Sequence, residues 1–263
     1  MKPLVTIIIT ADYKEKFLNN GLSSLVNQTL RNYQVIILFS KLDNLFYTKK
    51  KFKKFKFIKI KKKFSNPIHD QLYKIKEGIK YAKGEYIFLL DGDDYYHKRK
   101  LSIMVNLLKK YPDYLIQDSY YQIDNKIIVK YKKSKVNQNN RFANLFINNW
   151  PKNICTSTQA LSKESFNFFF EHNSPFKWKN LAIDIQLAIF FFYRRKIMNI
   201  PNFLTYKFND PQSVDKIYNR LFSKKYWERR LEQHKYTFSF KSNKGFSLDY
   251  FFSKIMSKIV NYL

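Results

Sequence analysis

The sequence predicts an α/β fold in which helices flank a mostly parallel sheet, with a helical extension at the C-terminus. Three observations carry this. Four short runs, Val5 to Ile9, Tyr33 to Phe39, Phe55 to Ile60 and Tyr86 to Leu90, are rich in β-branched and aromatic residues. Val5 to Ile9 is apolar on both faces, as a strand buried in a parallel sheet requires. Between these runs apolar residues recur at helical spacing, so strand and helix alternate and right-handed crossovers follow. Beyond about residue 216 the character changes and reads as helical. The expected boundaries are an α/β domain over 1–215 and an extension over 216–263. At 263 residues, 45% of them hydrophobic, the chain has material for a sizeable core.

The elements follow in order. After the strand Val5 to Ile9, the residues Phe17, Leu18, Leu22, Leu25, Val26 and Leu30 set a first helix. Ile68, Leu72, Ile75, Ile79 and Ala82 stripe another, with Gly84 expected as its C-cap residue. Tyr86 to Leu90 runs straight into Asp91-Gly92-Asp93-Asp94. Leu115 to Tyr121 and Ile127 to Tyr131 read as a hairpin around Asp124-Asn125. Ile154 to Leu161 reads as a strand, and Leu181 to Tyr193 as a helix with Asp184 in its first turn. Ile197 to Ile200 and Leu204 to Phe208 read as two strands split by Pro201-Asn202.

Charge and composition exclude several classes. The 49 basic residues against 20 acidic ones give a net charge of +29, but only eight of the 49 are arginine. Nucleic-acid readers lean on arginine forks, and no recognition motif is present; no specific nucleic-acid partner is expected. Enrichment in Lys, Asn, Ile, Phe and Tyr also matches codon usage biased toward A·T, which accounts for part of the charge. The single Cys155 excludes a disulfide framework or a Cys-based zinc site and fits a reducing compartment. Leu4 to Ile9 is too short for a signal-peptide core. No run reaches the ~20 apolar residues of a spanning helix. The expected location is cytoplasmic, with peripheral contact at the inner face of an anionic membrane as one use for the charge. Ten lysines between Lys49 and Lys63 bracket the third strand, either as a solvated edge or as a membrane-facing surface. At the C-terminus Leu248, Phe251, Phe252, Ile255, Met256, Ile259 and Leu263 share one helical stripe behind the N-cap candidate Ser247. Packing against the α/β domain is the first expectation for that stripe, with membrane docking or dimerisation the alternative.

The chemistry concentrates at Asp91-Gly92-Asp93-Asp94. Ligands of open α/β sheets bind beyond the carboxyl ends of the strands. Carboxylates crowded there repel one another unless a cation neutralises them. Hard divalent ions favour such oxygens and can bridge them to a diphosphate. Gly92 permits close backbone approach. A solvated acidic turn capping the following helix accounts for the tetrad equally well.

The string Ala82-Lys83-Gly84-Glu85-Tyr86-Ile87-Phe88-Leu89-Leu90-Asp91-Gly92-Asp93-Asp94 resembles the family 2 glycosyltransferases, whose GT-A fold, a Rossmann-related sheet, carries a DxD motif here. The opening strand, Lys14 to Leu18, Ser24 to Thr29 and Val35 to Ile37 resemble the family as well, as does Leu204 to Asn209 near the end. The resemblance covers about residues 4 to 215. It implies an inverting, metal-dependent transferase that moves a sugar from a nucleotide-diphosphate sugar to an acceptor hydroxyl. It further implies Mn²⁺ or Mg²⁺ and a glycan or lipid-linked acceptor in bacterial surface polysaccharide or lipopolysaccharide synthesis. By position, Asp93 and Asp91 are the implied metal ligands. Thr10, Ala11, Asp12, Asp91, Gly92 and Lys207 fall on the nucleotide-sugar side, with Asp94 assisting. Asp184 matches the family's general base, although an acid in a first helical turn is also stabilised by the helix dipole.

The sequence departs from the family pattern in places. Phe39-Ser40 stand where one or two Asp usually read the base, with Asp43 nearby; Thr10-Ala11-Asp12-Tyr13 replaces Pro-Thr-Tyr-Asn. Ile75-Lys76 replaces an Arg-Asn pair ahead of Gly78, and Lys207 and Asn209 replace Arg and His. These departures motivate an alternative, a non-catalytic glycosyltransferase-like scaffold in glycan assembly. His69-Asp70-Gln71 and Thr156-Ser157-Thr158 are secondary candidates for nucleotide and acceptor contact. A helix start and an ordinary Thr-rich strand are the plain readings of these two.

Overall fold

The computed structural model describes residues 2–12, 15–41, 45–124, 127–133, 150–208, 223–240 and 247–260. The sheet grows from β1 (Val5–Thr10), which pairs in parallel with β2 (Tyr33–Phe39) on one side and β4 (Tyr86–Asp91) on the other. β3 (Lys56–Lys59) adds to β2, again parallel. Direction then changes. β8 (Gln159–Ser162) runs antiparallel to β4 and to β6 (Leu115–Asp124), while β9 (Ile197–Phe208) runs parallel to β6. The two-residue β5 (Tyr95–Tyr96) pairs with β9, and β7 (Ile127–Tyr131) completes the expected hairpin with β6. The strand order is β3-β2-β1-β4-β8-β6-β9-β5.

Alternation along β1 sorts the helices into two layers, because successive side chains point to opposite faces. Val5, Ile7 and Ile9 pack with Leu18, Leu22 and Leu25 of α1 (Glu15–Val26) and with Leu101, Met104 and Val105 of α4 (Lys100–Lys110). Ile8 joins Leu72, Ile75 and Ile79 of α3 (Pro67–Tyr81), Phe166 and Phe169 of α5 (Lys163–His172), and Leu187 and Phe190 of α6 (Ile183–Tyr193). A short α2 (Leu45–Lys51) holds the first lysines of the basic run. α6 is apolar all round because the sheet covers one side, while Tyr236 of α7 (Lys224–Phe238) and Phe240 cover Leu181 and Ile189. α8 (Leu248–Ile259) packs on α7, with Ser247 as its side-chain N-cap. Among the described residues no helix is long and apolar enough to cross a membrane.

Five expectations change, each for a physical reason. α3 ends at Tyr81 with Ala82 as C-cap, so Gly84 caps nothing. It lies instead against β1, where an added Cβ would meet the backbone of Val5 and Thr6 at 2.4 and 2.5 Å. Ile154 to Leu161 is a strand only from Gln159; Thr156–Thr158 form a 3₁₀ turn. Pro201-Asn202 does not split β9, because shifts of register opposite Gln117 to Tyr120 absorb the irregularity. The acidic tetrad does not cap a helix, since β5 intervenes and α4 starts only at Lys100. Finally, the C-terminal stripe does not pack inward. α8 turns its Ser253 flank to α7, where Arg230 Nε donates to Ser253 Oγ at 3.1 Å and Arg230 pairs with Asp249 at 2.6 Å.

Candidate active site

The site forms where parallel strands end side by side. Thr10 is in register with Asp91 on β4 and with Leu38 on β2, so Thr10-Ala11-Asp12 meets the acidic turn at the carboxyl edge. The Gly92 amide donates to the Thr10 carbonyl at 3.0 Å. A Cβ at Gly92 would meet Ala11 Cα and Cβ and the Thr10 carbonyl at 3.1 Å, so these two turns approach as closely as they do because position 92 lacks a side chain.

Asp12 is held by the neighbouring strand and by α3. Its Oδ1 accepts from the Ser40 amide at 2.7 Å, and its Oδ2 pairs with Lys74 Nζ. Lys74 also pairs with Asp70 at 2.6 Å, and the Asp12 side chain keeps 24% of its exposure. The departure at Ile75-Lys76 thereby acquires a structure. Ile75 is core, Lys76 lies over the rings of Phe170 and Phe176, and Lys74 is the base that reaches the sheet edge. Asp43, Tyr13 and Asn209 lie outside the described residues.

Within the acidic turn the carboxylates separate by role. Asp91 Oδ1 accepts from Gln71 Nε2 at 2.7 Å, which places Gln71 of the His69-Asp70-Gln71 segment at the site. Asn66 N-caps α3, while His69 meets the Trp178 carbonyl at 3.2 Å and Asp70 serves Lys74. Asp94 is buried: Ser157 Oγ donates to it at 2.6 Å, the Phe208 amide at 2.9 Å, and Cys155 Sγ lies at 3.9 Å. Burial first, then the Asp93 charge, pushes the Asp94 carboxyl up to about 7, against the pull of Ser157, Lys207 and the Phe208 amide. With its oxygens bonded inward, Asp94 braces the turn behind the partly buried Asp91, and Asp93 between them is itself buried.

Ser157 connects the parts. Its hydroxyl donates to Asp94 and accepts from the Asp91 amide at 3.0 Å, which the 3₁₀ turn makes possible and a strand would not. Asp184 sits in the first turn of α6, its carbonyl held by Gln159 Nε2 at 2.9 Å. The buried Cys155 thiol, pushed well up by burial, feels the charges of Lys207, Asp94, Asp91 and Asp184 together. The structure thus brings Thr10, Ala11, Asp12, Asp91 and Gly92 together on one edge with Asp94 braced behind them, while Asp184 opens α6 and Lys207 lies near the end of β9.

Beneath lies a polar layer that sequence reasoning missed. Lys100 Nζ, fully buried, donates to Asp118 Oδ1 at 2.7 Å and to the Ser157 carbonyl and Thr205 Oγ1 at 2.6 Å each. Lys133 Nζ, also buried, donates to Gln117 Oε1 at 2.7 Å. The available signal was Gln117-Asp118-Ser119, three consecutive polar residues set between Leu115-Ile116 and Tyr120-Tyr121. Burial pulls the Lys133 ammonium down to about 8 from its ordinary 10.5. A charged, buried Lys133 therefore costs the folded state below pH 8, and the cost is relieved as pH rises toward 10.5. The stability of Lys133→Met relative to the unmodified protein is accordingly expected to fall by about 2 to 3 kcal/mol between pH 7 and pH 10, read by urea unfolding. A pH-independent difference would contradict this.

Among the described residues no three His, Cys, Asp or Glu side chains gather to hold an ion by themselves. Asp91 and Asp93 nevertheless offer hard oxygens on one turn, a donor set that suits a divalent ion whose remaining ligands are diphosphate and water oxygens.

A mixed α/β sheet with this acidic edge is the GT-A architecture of sugar-nucleotide transferases. The Glycosyl transferase family 2 model matches residues 6–170, more than half of the chain, and the chain belongs to that family. The fold matches S. aureus TarS 1-349 in complex with UDP-GlcNAc at a TM-score of 0.65 and 11% identity, over 99% of this chain and 72% of that one. The UDP complex of TarS 1-349 matches at 0.63 and 12% identity, over 99% and 71%. In sequence, the chain is 32% identical over 126 residues to the poly(ribitol-phosphate) beta-N-acetylglucosaminyltransferase TarP of Staphylococcus aureus (strain N315). That match covers 46% of this chain and 37% of TarP, so the chain aligns with little more than a third of that relative.

Proposed function

We propose that this chain transfers a sugar from a nucleoside-diphosphate sugar to an acceptor hydroxyl, with inversion at the anomeric carbon, in the assembly of a bacterial cell-envelope glycan. The observation that carries this reading is the meeting of Thr10–Asp12 with Asp91–Asp94 at the carboxyl edge of the parallel strands. The UDP and UDP-GlcNAc held by TarS, and the acetylglucosaminyl transfer in TarP's name, make UDP-GlcNAc the first donor to test.

In this reading Asp91 and Asp93 hold Mn²⁺ or Mg²⁺, with Gln71 fixing the rotamer of Asp91. The ion, when bound, neutralises charge on the leaving diphosphate. Lys207 pairs with the same diphosphate as a point charge. Thr10, Ala11 and Gly92 shape the donor edge, and Asp12, oriented by Ser40 and Lys74, accepts from the nucleoside. Asp184 takes the proton of the acceptor hydroxyl as that oxygen attacks in line.

Titration calorimetry with UDP-GlcNAc, UDP-glucose and GDP-mannose in the presence of Mn²⁺ is the test. One donor is expected to give saturable heat. Asp93→Asn or a chelator is expected to weaken binding by at least about tenfold without a change in the far-ultraviolet spectrum. Binding unaffected by both would remove the metal site from the reading. No saturable heat with any donor would favour the scaffold alternative, for which Phe39-Ser40 is the motive.

A further inference from the structure

We propose that α8 docks this protein on an anionic lipid bilayer. Leu248, Phe251, Phe252, Ile255 and Ile259 follow helical spacing along α8, and each is between 41% and 54% exposed. The opposite flank is the polar one and is used up internally: Ser253 is buried, Arg230 Nε donates to Ser253 Oγ, and Asp249 pairs with Arg230. A helix that hides its small polar residues and shows its large apolar ones departs from the ordinary surface pattern, and apolar patches of this kind mark interaction sites.

Charge selects the occupant. Lys254 and Lys258 are exposed beside the stripe, and Asp249, the acid on α8, is already neutralised by Arg230. Contacts of Trp227 with Phe252, of Arg230 with Ser253 and of Phe238 with Tyr250 hold α7 against the first half of α8. Lys224 and Lys225 are also exposed, at the start of α7. Apolar side chains flanked by lysines suit the boundary between acyl chains and anionic headgroups, where the apolar stripe inserts and each cation adds to the attraction. A second copy of the chain would bring lysine against lysine on molecules of net charge +29, which disfavours self-association through this face.

The test is co-flotation of the full chain with vesicles, and it needs no sugar donor, so its outcome is independent of the transfer reading. Binding is expected to vesicles of phosphatidylcholine containing about one-third phosphatidylglycerol, and to be weak on phosphatidylcholine alone. The pair Ile255→Asp and Ile259→Asp, both solvent-facing, is expected to lower the partition coefficient by at least about tenfold with an unchanged unfolding temperature. Lys254→Gln with Lys258→Gln is expected to lower it by about fivefold per lysine on the anionic vesicles only. Three results would overturn the proposal. One is no flotation of the unmodified protein. Another is flotation of the aspartate variant at the unmodified level, which would give the binding to another basic surface such as Lys49 to Lys63. The third is a lipid-free dimer that the aspartate variant dissolves.

Discussion

Asp184→Asn is expected to lower kcat for sugar transfer by about a thousandfold while leaving the donor KM within about threefold of its original value. The split follows from the proposed role: a base that removes the acceptor proton acts in the transition state and contributes little to donor binding. Asp184 stands in the first turn of α6, whose N-cap, Ala182, supplies no side-chain bond, so the partial positive charge of the helix start falls on the carboxylate. Gln159 Nε2 fixes the backbone at the same point, and the amide variant keeps the shape of the side chain. Initial rates with labelled donor, at saturating and limiting donor, measure the effect. Full activity in the variant would sink the assignment of Asp184 as base.

The parallel half of this site was legible because its signal is local. Val5 to Ile9 and Tyr86 to Leu90 announce themselves as buried strands, and the tetrad after Leu90 falls at the carboxyl edge that such strands must have. The bracing of the tetrad was not legible. Ser157 reaches Asp94 only because a 3₁₀ turn interrupts an apparently continuous strand, and a three-residue turn leaves no periodicity to read. Lys74 and Lys76 look alike in the sequence, two positions apart on one helix. Which of them reaches Asp12 depends on the orientation of α3 against the sheet. The α8 stripe was read with the right periodicity and the wrong destination, because periodicity gives a face but not the surface it meets.

Lys100→Met is expected to lower the unfolding temperature by about 10 °C, from a cost of about 3 to 5 kcal/mol for leaving Asp118 charged and buried without its partner. Both side chains are fully inaccessible, and the lysine also holds Thr205 and the Ser157 carbonyl, so three elements of the second half lose a common tie. Burial and the Lys100 charge act in opposite directions on Asp118: desolvation raises its pKa, and Lys100 lowers it. Removing both charges in Lys100→Met with Asp118→Leu is expected to recover most of the loss, since the unpaired charge is the main penalty. Scanning calorimetry of the two variants decides the matter, and a fall below about 2 °C in the single variant would show that the pair carries little stability. The single variant is also expected to weaken donor binding at temperatures where it stays folded, because Ser157 links this layer to Asp91 and Asp94.

The chain's single thiol, Cys155, is sealed beneath the acidic turn, where burial keeps it in the unreactive protonated form. A maleimide or disulfide reagent therefore modifies the native protein only when the acidic turn, the 3₁₀ segment and the end of β9 separate. The rate of that single labelling event clocks the opening of this one place, with no other cysteine to confuse the signal. Any ligand that clamps the Asp91–Asp94 turn would slow the clock, so occupancy can be followed without a sugar ever being transferred.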